Sequence, residues 1–349
     1  LSEGIDSTLA SVAPAAPIES ARSLPLTAVP PLTWMTAVGC AADLVINRIV
    51  LRSWGDTFSR EAFLQLDRWG TFSRNLAVVS GLVALAFCLA AYGSRKNGLP
   101  LSARIGIVGF GWAFVPIITL MTFLPLAWTR TELVLVIAGL AHALILLVIL
   151  AGIHWRSTKA MSGALALLLV AFVSGIVSLI VSLVGGRALW EHTERLAFAF
   201  RWSGELAYLA VPIALGFAVR IPWREARGKW VLVVSALAAA GLAAGMVVWR
   251  DSVGVDLTNL FYGAFRLDLL AERNAIDWYA VPLGIGWAVT AAAMLSKDPT
   301  QRQIGAALLI LLCTGFAPRT PSALLLSVLS VALVSRAALA TALRRRAAE

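Results

Sequence analysis

The chain has 349 residues, of which 59% are hydrophobic and only 14% charged, with a formal net charge of +10. A soluble domain carries about 25% charged residues, so this composition argues against a water-soluble globule, which would lack a charged shell. The positive residues are spread over short loops rather than gathered in a basic domain, which argues against nucleic acid and for a lipid bilayer as the partner.

The chain begins at Leu1 rather than Met, as a processed, truncated or alternatively started product would. Residues 1–30 are rich in Ala, Pro and Ser, lack the basic start and compact apolar stretch of a signal peptide, and are expected to form a flexible leader. Residues 31–51 are apolar but carry Asp43, Asn47 and Arg48. They read either as a first spanning helix or as an interfacial helix with those residues on its wet face. Helical spacing puts Asp43 and Asn47 on one side. If the segment spans, Asp43 marks an intramembrane polar site. Residues 52–74 contain an internal echo, Trp54-Gly-Asp-Thr-Phe-Ser-Arg60 and Trp69-Gly-Thr-Phe-Ser-Arg74. This segment is expected outside, either as a partner-docking face or as two interfacial anchors.

A spanning helix needs about 20 apolar residues. Further candidates lie near 75–92, 105–128, 131–153, 160–184, 196–219, 230–249, 278–295, 303–317 and 321–343, the eighth of these being short. The expected fold is therefore all-α: a polytopic transmembrane bundle of nine or ten spanning helices, with the main bundle over 75–343 and a basic tail at 344–349. Many of the thirteen Trp residues, including Trp128, Trp155, Trp190, Trp230 and Trp249, stand where an apolar run ends. An indole ring favours that interface. Residues 250–277 alternate apolar and charged positions and read as a second external amphipathic segment, again a candidate surface for a protein partner.

Alternate connections differ in charge. One set holds Arg95, Lys96, Arg104, Arg156, Lys159, Arg220, Arg224, Arg227, Lys229, Lys297 and Arg302, joined by the tail Arg344, Arg345 and Arg346. The other holds half as many basic residues and most of the loop acids. By the positive-inside rule the first set and the C-terminus face the cytoplasm. The Ala-, Leu- and Arg-rich usage resembles that of a high-GC bacterium, for which the location is the inner membrane.

Ionisable side chains within hydrocarbon are costly and mark function or a fixed packing contact. Arg201 and Glu205 are four residues apart in the 196–219 segment, Tyr208 shares their side, and Pro212 follows. This face reads as a solute or proton site, or as a structural ion pair. His142 falls mid-way along 131–153 and reads as a proton relay or as an imidazole bonded to a neighbouring helix. His154 and His192 lie at other depths, which argues against bis-histidine haem, while a His–Met haem stays open. Glu191, His192 and Glu194 are local to one loop and lack spaced partner ligands, so no metal or other cofactor is expected. Cys40, Cys88 and Cys313 have no CxxC spacing and read as buried thiols. Arg336 is about two turns from the tail and is expected to reach for the interface. Gly241 and Gly245 form a GxxxG pair suited to close helix packing.

No nucleotide-binding, metalloprotease or serine-hydrolase signature is present, and no catalytic residue is assigned. Three functional classes remain. The first is a secondary permease or channel-like protein for a small solute or proton, using Arg201, Glu205, Tyr208, His142 and Asp43. The second is a non-catalytic subunit or scaffold of a membrane complex. The third is an intramembrane enzyme acting on a lipid-linked substrate through the external acids and His192.

Overall fold

The structure, a computed structural model, describes residues 24–51, 57–93, 99–123, 130–155, 159–184, 276–314 and 321–348, with isolated helical positions between 207 and 237. Among these residues every element is a helix: α1 Leu24–Asp43 continuing as a π-helical stretch Leu44–Val50, α2 Arg60–Tyr92, α3 Leu101–Phe123, α4 Arg130–Trp155, α5 Lys159–Val184, α6 Ile276–Met294, α7 Pro299–Thr314 and α8 Pro321–Ala348. Helix starts follow local chemistry. Ser59 Oγ accepts a bond from Ala62 N at 3.3 Å, with Glu61 in the first turn of α2. Asp298 Oδ1 accepts from Thr300 N at 2.9 Å with Pro299 between them, an acidic cap followed by a first-turn proline.

Among the described residues, five helices are long and apolar enough to cross a membrane: Ala28–Asn47, Arg60–Tyr92, Leu101–Met121, Ile137–Trp155 and Ser322–Ala340. The nine or ten spans expected from sequence are not confirmed by these five, because several of the expected spans fall wholly or partly outside the described residues. The described parts of α5 and α6 contribute the shorter apolar stretches Ala160–Ser174 and Ile285–Met294. The 16 residues of α7 rise only about 24 Å, short of a 30 Å hydrocarbon layer. The expected spans 196–219 and 230–249 lie largely outside the described residues. Within the first of them Ala207, Val211 and Leu215 are buried at four-residue spacing.

Two expectations change at the N-terminal side. Helix α1 begins at Leu24, inside the segment expected as leader, and carries Pro30 and Pro31. Helix α2 passes 74 without a break, so the second Trp-Gly-Thr-Phe-Ser-Arg copy belongs to the first half of a 33-residue helix. Its charged portion, Arg60–Arg74, is about 22 Å long, which leaves the charge-free 75–92 to cross the apolar layer. The 31–51 segment has the length and apolarity of a span and packs antiparallel along α2.

Small residues set that packing. A Cβ on Gly39 would stand 2.9 Å from both Ala77 N and Ser73 O, so the two backbones touch. Further along the same seam the Thr36 and Ser80 hydroxyls meet at 2.9 Å. The α6–α7 hairpin closes in the same way: a Cβ on Gly305 would lie 2.6 Å from Met294 N.

The last helix is the centre of the bundle. It packs against α2, α3, α4, α5 and α7. Of its apolar window 83% is buried, against 22% for α3. Its sequence suits that position. From Ser322 to Ser335 it has only Leu, Val, Ala and Ser, and Ser330 Oγ donates across to Ala307 O of α7.

Contacts fix the directions. Gly81 of α2 faces Leu326 and Leu329 of α8, and Tyr92 faces Ala332. Gly139 of α4 faces Leu324, and His154 faces Ser335. Thus α2, α4 and α8 run parallel, while α3, α5 and α7 return beside them. The ends at Tyr92, Leu101, Trp155, Lys159, Met294 and Pro299 therefore gather at one end of the bundle with the C-terminal part of α8. These are the ends joined by the basic connections at 95–104, 156–159 and 297–302.

Candidate functional site

Polar groups within the bundle fall into two kinds. Most are satisfied by their own helix. Thr33 Oγ1 donates to Val29 O at 2.7 Å, Thr119 Oγ1 to Val115 O at 2.8 Å and Thr290 Oγ1 to Gly286 O at 2.9 Å. Such bonds quiet a hydroxyl in hydrocarbon and join no helices.

His142 belongs to this kind. Its Nδ1 lies 2.7 Å from Ala138 O, and since a carbonyl only accepts, Nδ1 carries the proton. The ring sits 6.0 Å from that of Phe110 on α3. The structure therefore places His142 on a local bond and an aromatic contact. Arg201, Glu205 and Tyr208 lie outside the described residues, as do Glu191, His192, Glu194, the external segment 250–277 and the Gly241/Gly245 pair.

Asp43 sits at the opposite end from the basic connections. Its Oδ1 accepts from Asn47 Nδ2 at 2.7 Å and from Arg74 Nε at 3.2 Å. The Asp43–Asn47 proximity expected from spacing is present, and the partner on α2, 31 residues away, is added by the fold. Asn47 rests on Gly70, where a Cβ would overlap its amide. Arg74 is half exposed, at 52%, so water screens this ion pair and its worth is about 0–1 kcal/mol.

The second kind of polar group bonds across helices, and its main cluster is at the basic end. His154 Nε2 and Ser335 Oγ share a hydrogen bond of 2.7 Å between α4 and α8. Tyr92 Oη donates to Ala332 O at 3.2 Å, tying α2 to α8, and lies within reach of the Ser335 hydroxyl. The Arg336 guanidinium stands against the Cys88 thiol of α2. His154, Ser335, Tyr92 and Cys88 are each 1% exposed or less. Nearby, Ser162 Oγ donates to Ala151 O at 2.8 Å and closes the α4–α5 turn.

The cluster is thus drawn from three helices that share no local sequence spacing. It combines an imidazole, a guanidinium, a phenol, a hydroxyl and a thiol in a region shielded from water. Chemically it can hold or pass a proton through the His154–Ser335 pair, and it can hold negative charge beside Arg336. Arg336 is half-buried against α2, so the expected reach to the interface is only part of its placement. Among the described residues, no group of three His, Cys, Asp or Glu side chains is placed to hold a metal ion.

Tyr92, Ser335 and Cys88 were not recognisable as site residues from local spacing. The usable signal was depth. Tyr92 precedes the Arg95/Lys96 loop, His154 precedes Arg156, and Ser335 and Arg336 precede the basic tail, each at the same kind of helix end. No family model, curated protein or solved structure matches the chain.

Proposed function

We propose that the chain is a multi-pass protein of a bacterial inner membrane, with its basic end and C-terminus in the cytoplasm, acting as a secondary permease or channel-like protein for a proton or small solute. One observation carries this reading. A buried histidine is hydrogen-bonded to the central helix, inside a cluster contributed by three helices, at the level where the apolar layer gives way to basic loops. Ionisable groups at such positions face a solute path or a relay far more often than lipid. The two-to-one charge bias between the ends supports the orientation. Arg201, Glu205 and Tyr208 are a second polar face of the same proposed path, and Asp43 stands at its other end.

The test is flux in proteoliposomes loaded with a pH-sensitive dye under an imposed membrane potential. Wild type is expected to dissipate the potential-driven proton gradient. His154→Gln, which keeps a hydrogen-bonding side chain but cannot titrate, is expected to slow flux at least tenfold while remaining monodisperse. Flux no faster than in protein-free vesicles contradicts proton handling.

A scaffold role is the second reading, and one feature favours it. The projecting half of α2 exposes Leu64, Trp69 and Phe72, with the Trp69 and Phe72 rings edge to face at 6.0 Å. Under that reading wild type carries no flux, and His154→Gln lowers stability or assembly instead.

A further inference from the structure

We propose that Tyr92 is a positioning residue for His154: acting through Ser335, its hydroxyl holds the resident imidazole proton on Nε2, so that His154 takes up and releases a proton at Nδ1. This deepens the permease reading, and it rests on that reading only in treating His154 as the group that handles the transported proton.

The geometry is one turn of α8 held from two sides. Ala332 and Ser335 are three residues apart and so adjoin on the helix surface. Tyr92 of α2 donates to Ala332 O at 3.2 Å and has the Ser335 hydroxyl within hydrogen-bonding reach. His154 of α4 brings its Nε2 to 2.7 Å from Ser335 Oγ. Tyr92, Ser335 and His154 are each exposed by 1% or less, so water does not compete for these bonds.

The direction of the protons follows from the far end of the chain. A carbonyl oxygen only accepts, so the one phenol proton of Tyr92 goes to Ala332 O. Toward Ser335 the phenol oxygen can then only accept, and the Ser335 proton turns to it. The Arg336 guanidinium acts on the same phenol and favours negative charge on its oxygen, which improves it as an acceptor. With its proton turned away, Ser335 Oγ presents a lone pair to the imidazole, and Nε2 donates. The chain runs from His154 Nε2–H to Ser335 Oγ–H to Tyr92 Oη–H to Ala332 O. Its bonds all point one way, and aligned bonds in a low-dielectric setting strengthen one another. Without the phenol, Ser335 donates to Nε2 instead, and the resident proton moves to Nδ1.

The chain ends on a backbone carbonyl, which passes no proton on. Tyr92 therefore orients and does not transfer. An arriving proton binds Nδ1, and the ring becomes imidazolium with Nε2–H still bonded to Ser335. The same nitrogen gives the proton up again. No hydroxyl turns in either step, so the chain is unchanged over a cycle. His142 offers the contrast, because Ala138 O fixes its proton on Nδ1.

The test is solid-state NMR of the full-length chain in proteoliposomes, labelled with 13C,15N-histidine and held at about pH 8, above the ordinary imidazole range. Subtracting the His154→Gln spectrum isolates His154 from His142 and His192, and a one-bond correlation to Cδ2 identifies Nε2. Wild-type His154 is expected to carry its proton on Nε2. Tyr92→Phe keeps the ring and removes the hydroxyl. It is expected to lower the ratio of Nε2–H to Nδ1–H at least tenfold and proton flux at least threefold. In a Ser335→Ala background, Tyr92→Phe is expected to leave the ratio unchanged, because the link is gone. A wild-type proton on Nδ1 or on both nitrogens overturns the proposal. So does a ratio that Tyr92→Phe leaves unmoved, or one that it moves equally in the Ser335→Ala background. If Tyr92→Phe elutes as aggregate, the wild-type spectrum decides alone: Nε2–H supports the chain and Nδ1–H overturns it. A Tyr92-dependent Nε2–H in a protein without flux sinks transport and leaves the positioning role standing. Flux with a tautomer indifferent to Tyr92 does the reverse.

Discussion

At the scale of single residues, the fold separates two histidines that look alike in sequence. His142, in the middle of an apolar run, bonds Ala138 of its own helix. His154, at the end of the same helix, bonds Ser335 across 181 residues. The consequence is a difference in cost. Ser335→Ala removes an interhelical partner from an imidazole that is 1% exposed, and is expected to destabilise by about 1–3 kcal/mol. Thr119→Val removes only a bond to the helix's own carbonyl, which keeps its backbone partner, and is expected to stay within about 0.5 kcal/mol. Unfolding in mixed micelles, followed by circular dichroism, measures both. A larger loss for Thr119→Val than for Ser335→Ala would reverse the assignment. The sequence made His142 conspicuous because it scores position within a run. It hides the His154 cluster because its members are joined only when three parallel helices bring equal depths together.

At the scale of elements, the helices themselves were legible where apolar runs of bilayer length are bounded by charge, as for 75–92 and 321–343. The start of α2 was less legible, because Arg60, Glu61, Asp67, Arg68 and Arg74 interrupt the run that a hydropathy reading looks for. A helix leaving the membrane keeps its backbone bonds while its side chains turn polar, so charge marks the membrane boundary and not the helix end. Contacts between elements were not legible, since they depend on which glycines face a neighbour. Gly39, Gly305 and Gly81 show the difference. A Cβ at Gly39 or Gly305 meets backbone atoms of the facing helix, whereas at Gly81 the nearest atom is the mobile Leu326 Cδ2 at 2.9 Å. Gly39→Ala and Gly305→Ala are expected to cost about 1–3 kcal/mol by forcing helices apart. Gly81→Ala is expected to cost less than either, as a leucine rotamer can give way. Equal thermal midpoints for the three variants would contradict this ranking.

At the scale of the whole molecule, α8 organises the rest. It is the most buried of the candidate spans, and the partners it gathers run alternately with and against it. Class and solvent follow from composition, and the sorting of loops by charge agrees with the way the described helix ends group together. Function is less legible. Arg201, Glu205 and Tyr208 make the most prominent polar face in the sequence, while the cluster at Tyr92, His154, Ser335 and Arg336 emerges only from packing. The central claim is a membrane-crossing bundle whose basic ends share the cytoplasmic side. Its most direct measurement is labelling of single cysteines in intact spheroplasts with a membrane-impermeant maleimide, after Cys40, Cys88 and Cys313 are replaced by Ala. Thr57→Cys is expected to label from outside. Pro100→Cys, Lys297→Cys and Ala348→Cys are expected to react only after permeabilisation. Labelling of these three from outside, or their division between the two sides, would contradict the claim.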